Sequence, residues 1–370
     1  MTRFPAAAMM GLVDRPARFD LAESTCPALR LGDVAEPGEL AGLPLGYGTS
    51  AGDAELRSLI AAGTGVRADE VLVTVGASQA LFLLAQDLCG PGDHAVVVTP
   101  CFPPSRVVPE GLGARVDRLA LRFDDGYRLP AGELAALLTP HTKLVSLASP
   151  QNPSGVRFTE AELRAVLAAV DERAPGAVLL VDETYRDSTY GDAPVPPSAA
   201  ALSPRVVTCS SLSKAHGAPG LRLGWLTATD RDLYERLRNA KFLATVACSA
   251  VDEFAATIVL RRGKELLSAR AALLARALAE LAEWLDGQPV DWVRPDGGAL
   301  CCLRLRPGEF SDAAVAAFHA GLAGHGVRVA PGSWFGEDDR VFRLGFGHLP
   351  PADFTDALGR LALALKAARS

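Results

Sequence analysis

The sequence predicts an α/β protein in which a mostly parallel sheet is followed by a smaller α+β unit. Three observations carry this. Short, unbroken apolar runs alternate with helical patterns between residues 71 and 228. Each of the first five runs stops at a glycine, a proline or a polar residue. Beyond residue 230 the pattern changes to one long amphipathic helix, a hairpin and a closing helix. Unbroken apolar strands between helices imply a sheet covered on both faces.

The elements follow in order. In "DEVLVTVGASQALFLLAQDLCG" a β-branched strand, Val71 to Val75, turns at Gly76 into a helix with Leu81, Leu84, Ala85 and Leu88 at helical spacing. "HAVVVTP" is a second strand, ended by Pro100, and "TKLVSLASP" a third, ended by Pro150. A helix from about Glu160 to Ala174 leads to "AVLLVDE", and "RVVTCSS" and "GWLTA" supply a fifth and a sixth strand. "KELLSARAALLARALAELAEWL" places most of its leucines on one side of a helix. "DWVRPDGGALCCLRLR" reads as a hairpin bent near Gly297 and Gly298. A helix from Asp312 to Leu322, a strand in "VFRLGF" and a helix from Asp353 close the chain. The expected organisation is an N-terminal segment packing with the small domain (1–45), a large domain (46–283) and a small C-terminal domain (284–370).

Composition narrows the function classes. The chain has 370 residues, is 49% hydrophobic and carries a formal net charge of -6, which gives no general attraction to nucleic acid or to an anionic membrane. Its seven cysteines form no C-x-x-C pair, so buried free thiols in a reducing compartment are expected and a metal is not. The six histidines show no ligand spacing, and His216 is expected to pack locally. The apolar "AAAMMGLV" is too short to span a membrane and lacks the flanks of a signal peptide, so a cytoplasmic protein is expected.

The strand ends carry the chemistry. Ala77 and Ser78 follow the first strand at a helix N-terminus, where free N–H groups suit a phosphate, although Ser78 as a plain N-cap explains them as well. Asn152 sits in a turn after the third strand. Asp182 ends the fourth, with Tyr185 close behind, and a carboxylate there needs a positive or hydrogen-bonding partner. The fifth leads into "SSLSKAHGAPGLRLGW", where Lys214 lies among Ser211, Ser213 and Arg222. Pyridoxal 5′-phosphate needs each of these parts: an amine to form a Schiff base, an acid facing its ring nitrogen, and donors for its phosphate.

This pattern resembles the fold-type I pyridoxal-phosphate enzymes of the class I/II aminotransferase family. Ser211, Ser213, Lys214, Gly217, Gly220, Arg222 and Gly224 match its lysine motif, supported by "NPSG" at 152, "VDETY" at 181, "VGASQAL" at 75 and "YGTSAGDAELR" at 47. The resemblance implies a large domain with a mostly parallel seven-stranded sheet plus a smaller α+β domain. It implies that Lys214 binds the cofactor and carries the Cα proton, that Asp182 pairs with the ring nitrogen, and that Asn152 and Tyr185 bond its phenolic oxygen. Phe102 would stack on the ring, and Ala77, Ser78, Ser211, Ser213 and Arg222 would hold the phosphate. Tyr47 would reach the phosphate of a partner subunit in a homodimer, and Arg343 would clamp the substrate carboxylate. The implied activity is transfer of an amino group between an amino acid and a 2-oxo acid.

Some positions depart from the family. "FDLAESTCPA", with Glu23 and Ser24, replaces a glycine-glutamate-proline signature near the substrate. Gln151, Leu300 and the neighbouring cysteines replace other frequent residues, and no second arginine is in place for an acidic side chain. "DLAES" is weakly similar to the branch of capreomycidine synthase-like cyclases. A lyase or cyclase acting on a hydroxylated, arginine-derived amino acid is therefore the alternative; Glu23 either faces the substrate side chain or caps or salt-bridges locally within the N-terminal segment. A purely ligand-sensing domain fits the full set of Lys214, Asp182 and Arg343 less well.

Overall fold

The computed structural model describes residues 4–369. Its strands are β1 (Phe19–Asp20), β2 (Val71–Val75), β3 (His94–Thr99), β4 (Arg115–Ala120), β5 (Thr142–Ala148), β6 (Val178–Asp182), β7 (Val206–Ser211), β8 (Leu223–Ala228), β9 (Val290–Val293), β10 (Leu300–Leu305), β11 (Val327–Arg328), β12 (Ala330–Pro331) and β13 (Val341–Gly345). Seven of them form one sheet in the order β2-β8-β7-β6-β5-β3-β4. All its pairings are parallel except those of β8, which runs antiparallel to both β2 and β7.

Period-2 alternation splits the apolar runs between two cores. Val145, Leu147, Leu179 and Val181 pack against the helix Glu160–Arg173 through Leu163, Val166, Leu167 and Val170. Leu144, Leu180, Val207 and Leu226 face the other way, onto Leu81 and Leu84 of the helix Gly76–Leu88 and Leu237 of the helix Arg231–Thr245. The first helix begins with a reciprocal cap: Thr159 Oγ1 accepts from the Glu162 amide at 3.2 Å, and Glu162 Oε2 accepts from the Thr159 amide at 2.7 Å.

Strand β4 is the one that the run-by-run reading passes over. It is an edge strand with β3 as its partner, and Leu119 is its single buried residue. An edge tolerates the charges of Arg115, Asp117 and Arg118, so no apolar run marks it.

The smaller unit is a four-stranded antiparallel sheet, β12-β13-β10-β9, packed on the long helix Gly263–Leu285 and the closing helix Pro351–Arg369. Leu274, Leu278, Leu281 and Leu285 share one core with Leu303, Leu305, Phe342, Leu344, Leu358 and Leu361. No helix among the described residues is long and apolar enough to cross a membrane. All seven cysteines are buried and unpaired.

Residues 19–29 tie the two units together. β1 pairs in parallel with β11. The Gly345 amide then donates to Leu21 O at 2.7 Å, the Cys26 amide to Lys214 O at 3.1 Å, and the Leu29 amide to Gly217 O at 2.8 Å. The crossing is tight: a Cβ on Gly345 would lie 1.8 Å from Glu23 O. Gly345→Ala is therefore expected to cost about 2 kcal/mol and to lower the thermal midpoint. Gly359→Ala, in the closing helix with no atom near its Cβ position, is expected to gain about 0.5–1 kcal/mol. Thermal unfolding of the two variants beside the parent checks both.

Candidate active site

The loops after β2, β5, β6 and β7 open onto one cavity of about 270 Å³, and the N-terminal segment closes its side. A crevice at the carboxyl ends of strands is where this kind of sheet binds ligands.

One part of the wall is an anion cradle. Ala77, Ser78, Ser211, Ser213 and Arg222 all line it. The helix Gly76–Leu88 starts there, directing unpaired N–H groups and the positive end of its dipole inward. Ser78 is the third residue of that helix, and its cap position is Val75, so the N-cap explanation of Ser78 is overturned. Gly76 has φ +69, and a Cβ on it would meet Arg222 Nη2 at 2.6 Å. Gly224 on β8 leaves equally little room, with its Cβ position 2.5 Å from the Ala77 nitrogen. These two glycines let the guanidinium and a β-strand close on the start of the helix. Arg222 is itself left-handed at φ 47, held through Nη1 on Pro219 O at 2.9 Å.

A second part carries Phe102, Asn152, Asp182 and Tyr185. Asp182 Oδ1 accepts from the Thr184 amide at 2.9 Å and from Thr184 Oγ1 at 2.5 Å. Burial pushes its carboxyl up against these donors and against the Lys214 charge. A cation facing it from the cavity would relieve that penalty.

Lys214 lies between these parts and the N-terminal segment. Its Nζ donates to Glu23 Oε1 at 3.1 Å and to Ser24 Oγ at 3.3 Å. Ser24 Oγ is in turn 2.8 Å from Tyr185 Oη, and the Ser24 amide donates to Glu23 Oε1 at 2.7 Å. Lys214 and Glu23 have side chains 23% and 22% exposed, both at the cavity wall. Burial alone would raise the Glu23 carboxyl, but the Lys214 ammonium, with smaller help from the Ser24 amide and Arg343, holds it down to about 2. Burial likewise works against the charged lysine. Tyr185 and Glu23 outweigh it and the opposing Arg343, so the ammonium is favoured beyond its ordinary range.

Arg343, on β13, is buried. Its Nη1 donates to Asn152 Oδ1 at 2.9 Å and its Nη2 to Ala22 O at 2.6 Å, while Phe335 stacks 4.8 Å from its Cζ. Its Nε is buried without a hydrogen-bond partner among the described residues.

Of the residues given a role in binding or catalysis from the sequence, all but Tyr47 line this cavity. Tyr47 is 92% exposed on a separate surface beside Glu253 and Phe254. The substitutions at Gln151 and at Leu300 to Cys302 do not reach the cavity. Gln151 is buried in its own turn, bonded to Pro100 and Ser154, and the other three are core residues. His216 is buried away from the cavity. Two features went unassigned from the sequence. Ser24 links Lys214 to Tyr185. Met9, Leu12 and Val13 cover part of the cavity, and their i, i+3, i+4 spacing was the available signal.

The family model for aminotransferase class I and II matches residues 35–361. The arginine–pyruvate transaminase AruH of Pseudomonas aeruginosa is 32% identical over 74% of this chain and 69% of its own. The capreomycidine synthase of Streptomyces vinaceus is 31% identical over 81% and 76%. A solved aminotransferase from Streptococcus suis, dependent on pyridoxal 5′-phosphate, superimposes with a TM-score of 0.89 at 26% identity, covering 98% of each chain. The residues present fit that cofactor: an amine, a carboxylate made costly by burial, and an anion cradle whose walls close so tightly at positions 76 and 224 that neither has room for a Cβ. The chain belongs to the class I and II aminotransferase family and is a pyridoxal 5′-phosphate-dependent transferase of fold type I.

Proposed function

We propose that the chain transfers an amino group between an L-amino acid and a 2-oxo acid. The observation that carries this reading is the lysine placed in one cavity with two separate arginine-based anion sites, Arg222 at the cradle and Arg343 on β13. One suits the cofactor phosphate, the other the substrate carboxylate. Pyridoxal 5′-phosphate, when bound, supplies the electron sink that makes a Cα proton removable.

The roles are those the family resemblance implies, and the shared lining of one cavity supports all but that of Tyr47. Ala77, Ser78, Ser211, Ser213 and Arg222 hold the phosphate. Asp182 would face the ring nitrogen, Phe102 would stack on the ring, and Asn152 and Tyr185 would bond its phenolic oxygen. Lys214 would attach the cofactor and, when free, would take the Cα proton on Nζ. Arg343, which lines the cavity, would clamp the substrate carboxylate as a bidentate partner. Tyr47 reaches the phosphate of a partner subunit in a homodimer, in keeping with its exposure here.

Substrate class follows from what remains on the wall. Beyond Arg222 and Arg343 no arginine lines the cavity among the described residues, so an acidic side chain finds no partner. Glu23 lines it and would attract a basic or polar side chain, worth on the order of 1 kcal/mol where partly solvated. The same carboxylate favours the second reading, a lyase or cyclase acting on a hydroxylated amino acid.

Three outcomes are expected. Borohydride reduction of the loaded enzyme, followed by peptide mapping, should fix the cofactor on Lys214, and Lys214→Ala should retain none covalently. Mixing Tyr47→Ala with Arg222→Ala subunits should restore activity in the hybrid, because one of its two sites is then intact. A panel of amino acids should give 2-oxo acids with pyridoxamine phosphate, with neutral and basic side chains favoured over aspartate and glutamate. An eliminated or cyclised product without pyridoxamine phosphate would decide for the second reading.

A further inference from the structure

The lysine of this site does not face the cavity alone. Glu23 stands 3.1 Å from its Nζ and Ser24 3.3 Å. Neither is a loosely held surface group. The chain is pinned on one side of them by the bond from Gly345 to Leu21 O and on the other by the bond from Cys26 to the carbonyl of Lys214 itself. Glu23 Oε1 is further fixed by the Ser24 amide, and Ser24 Oγ by Tyr185 Oη at 2.8 Å. A carboxylate and a hydroxyl thus contact one amine, with a phenol bonded to the hydroxyl and the carboxylate bound to the amine and to the adjoining backbone at once.

We propose that Glu23 is the counter-ion that keeps a proton on Lys214 Nζ, with Ser24 holding the pair in register with Tyr185, so that Lys214 is a stronger base and a slower proton donor than it would be alone. The inference rests on the reading of Lys214 as the group that takes the Cα proton. When the Cα–H bond breaks, its electron pair stays behind and an Nζ–H bond forms. The new positive charge then develops beside a carboxylate already in place. Four charged or titratable groups face this lysine. Glu23 and Tyr185 favour its ammonium, Arg343 opposes it, and the charge of Asp182 is coupled to it. Of the four, Glu23 is the one that contacts Nζ directly as an anion. Its effect passes through Lys214, which makes it a positioning residue.

The chain has five lysines, which makes the test direct. In the full chain free of cofactor, lysines labelled with 13C at Cε give five signals, and the one missing from Lys214→Ala is Lys214. Its chemical shift is followed against pH in the parent, in Glu23→Gln and in Glu23→Asp. The midpoint should fall by about one pH unit or more in Glu23→Gln, while Glu23→Asp retains most of the parent value. The rate of covalent capture of pyridoxal 5′-phosphate at pH 7 requires neutral Nζ, and it should rise about tenfold in Glu23→Gln. A Lys214 midpoint equal in the parent and Glu23→Gln overturns the proposal, as does a capture rate that stays level or falls. Should Glu23→Gln fail to fold, equal midpoints in the parent and Ser24→Ala overturn it through the lost register. Cofactor found on another lysine would sink the reading of Lys214 and leave the midpoints, measured without cofactor, to judge the pairing.

Discussion

The site depends on one backbone crossing. Residues 19–29 leave the small sheet beside Gly345 and arrive at the loop that carries Lys214, hydrogen-bonded at both ends. Glycine is required along the way because the two backbones touch. A Cβ at 345 would overlap Glu23 O, and one at 217 would lie 2.3 Å from Pro27 O. Gly217 also has φ +69, which a side chain would strain. This crossing places Glu23 against a lysine 191 positions away in the chain. It also puts Ala22 O against Arg343. The N-terminal segment is therefore a structural wall of the site.

The charges inside that wall are mutually dependent. Burial disfavours every one of them, and each is tolerated through another. Glu23 is held ionised by Lys214, and Lys214 is held protonated largely by Tyr185 and Glu23. Asp182 is the group left unbalanced, raised by burial despite Thr184. Arg343 keeps a buried Nε without a partner. An acid left uncompensated by burial at the cavity wall would be relieved by a cationic ligand group, which is the observation that supports the proposed role of Asp182.

What the sequence discloses follows from the range of the interactions involved. Strands β2, β3, β5, β6 and β7 are buried on both faces, so each is a local apolar run. β4 has one neighbour and a wet face, and its pattern vanishes among charges. Lys214, Ser211, Ser213 and Arg222 sit within one turn-rich stretch, and a local motif discloses them together. Asp182 is legible because a carboxylate after four apolar residues needs a partner. Glu23 is legible as a departure from the family, but its bond to Lys214 is not, because nothing local records a contact across most of the chain. Ser78 shows the same limit from the other side, since its place at the third helical position was set by Gly76 starting the helix earlier than a serine cap would. Gln151 and Cys301 looked like substrate-pocket changes because position in the chain does not tell which face a side chain takes.

The apolar cover gives the charged cluster its strength. Met9 and Leu12 lie over the cavity and pack on Ala22, Ala330 and Phe335, the same Phe335 that stacks on Arg343. Coulomb attraction weakens as water enters, by several-fold between a protein surface and bulk solvent. Hydrocarbon lining the same cavity as the lysine and its carboxylate keeps that attraction high and would exclude water from the reacting Cα. If Lys214 takes the Cα proton as proposed, transfer and elimination begin with the same step, which is why membership of the family does not separate them. They part over where the proton goes next, to carbon in one case and to a leaving oxygen in the other. The groups hydrogen-bonded to Nζ are Glu23 and Ser24, with Tyr185 bonded to Ser24, and the first two come from a segment in which this chain departs from its family.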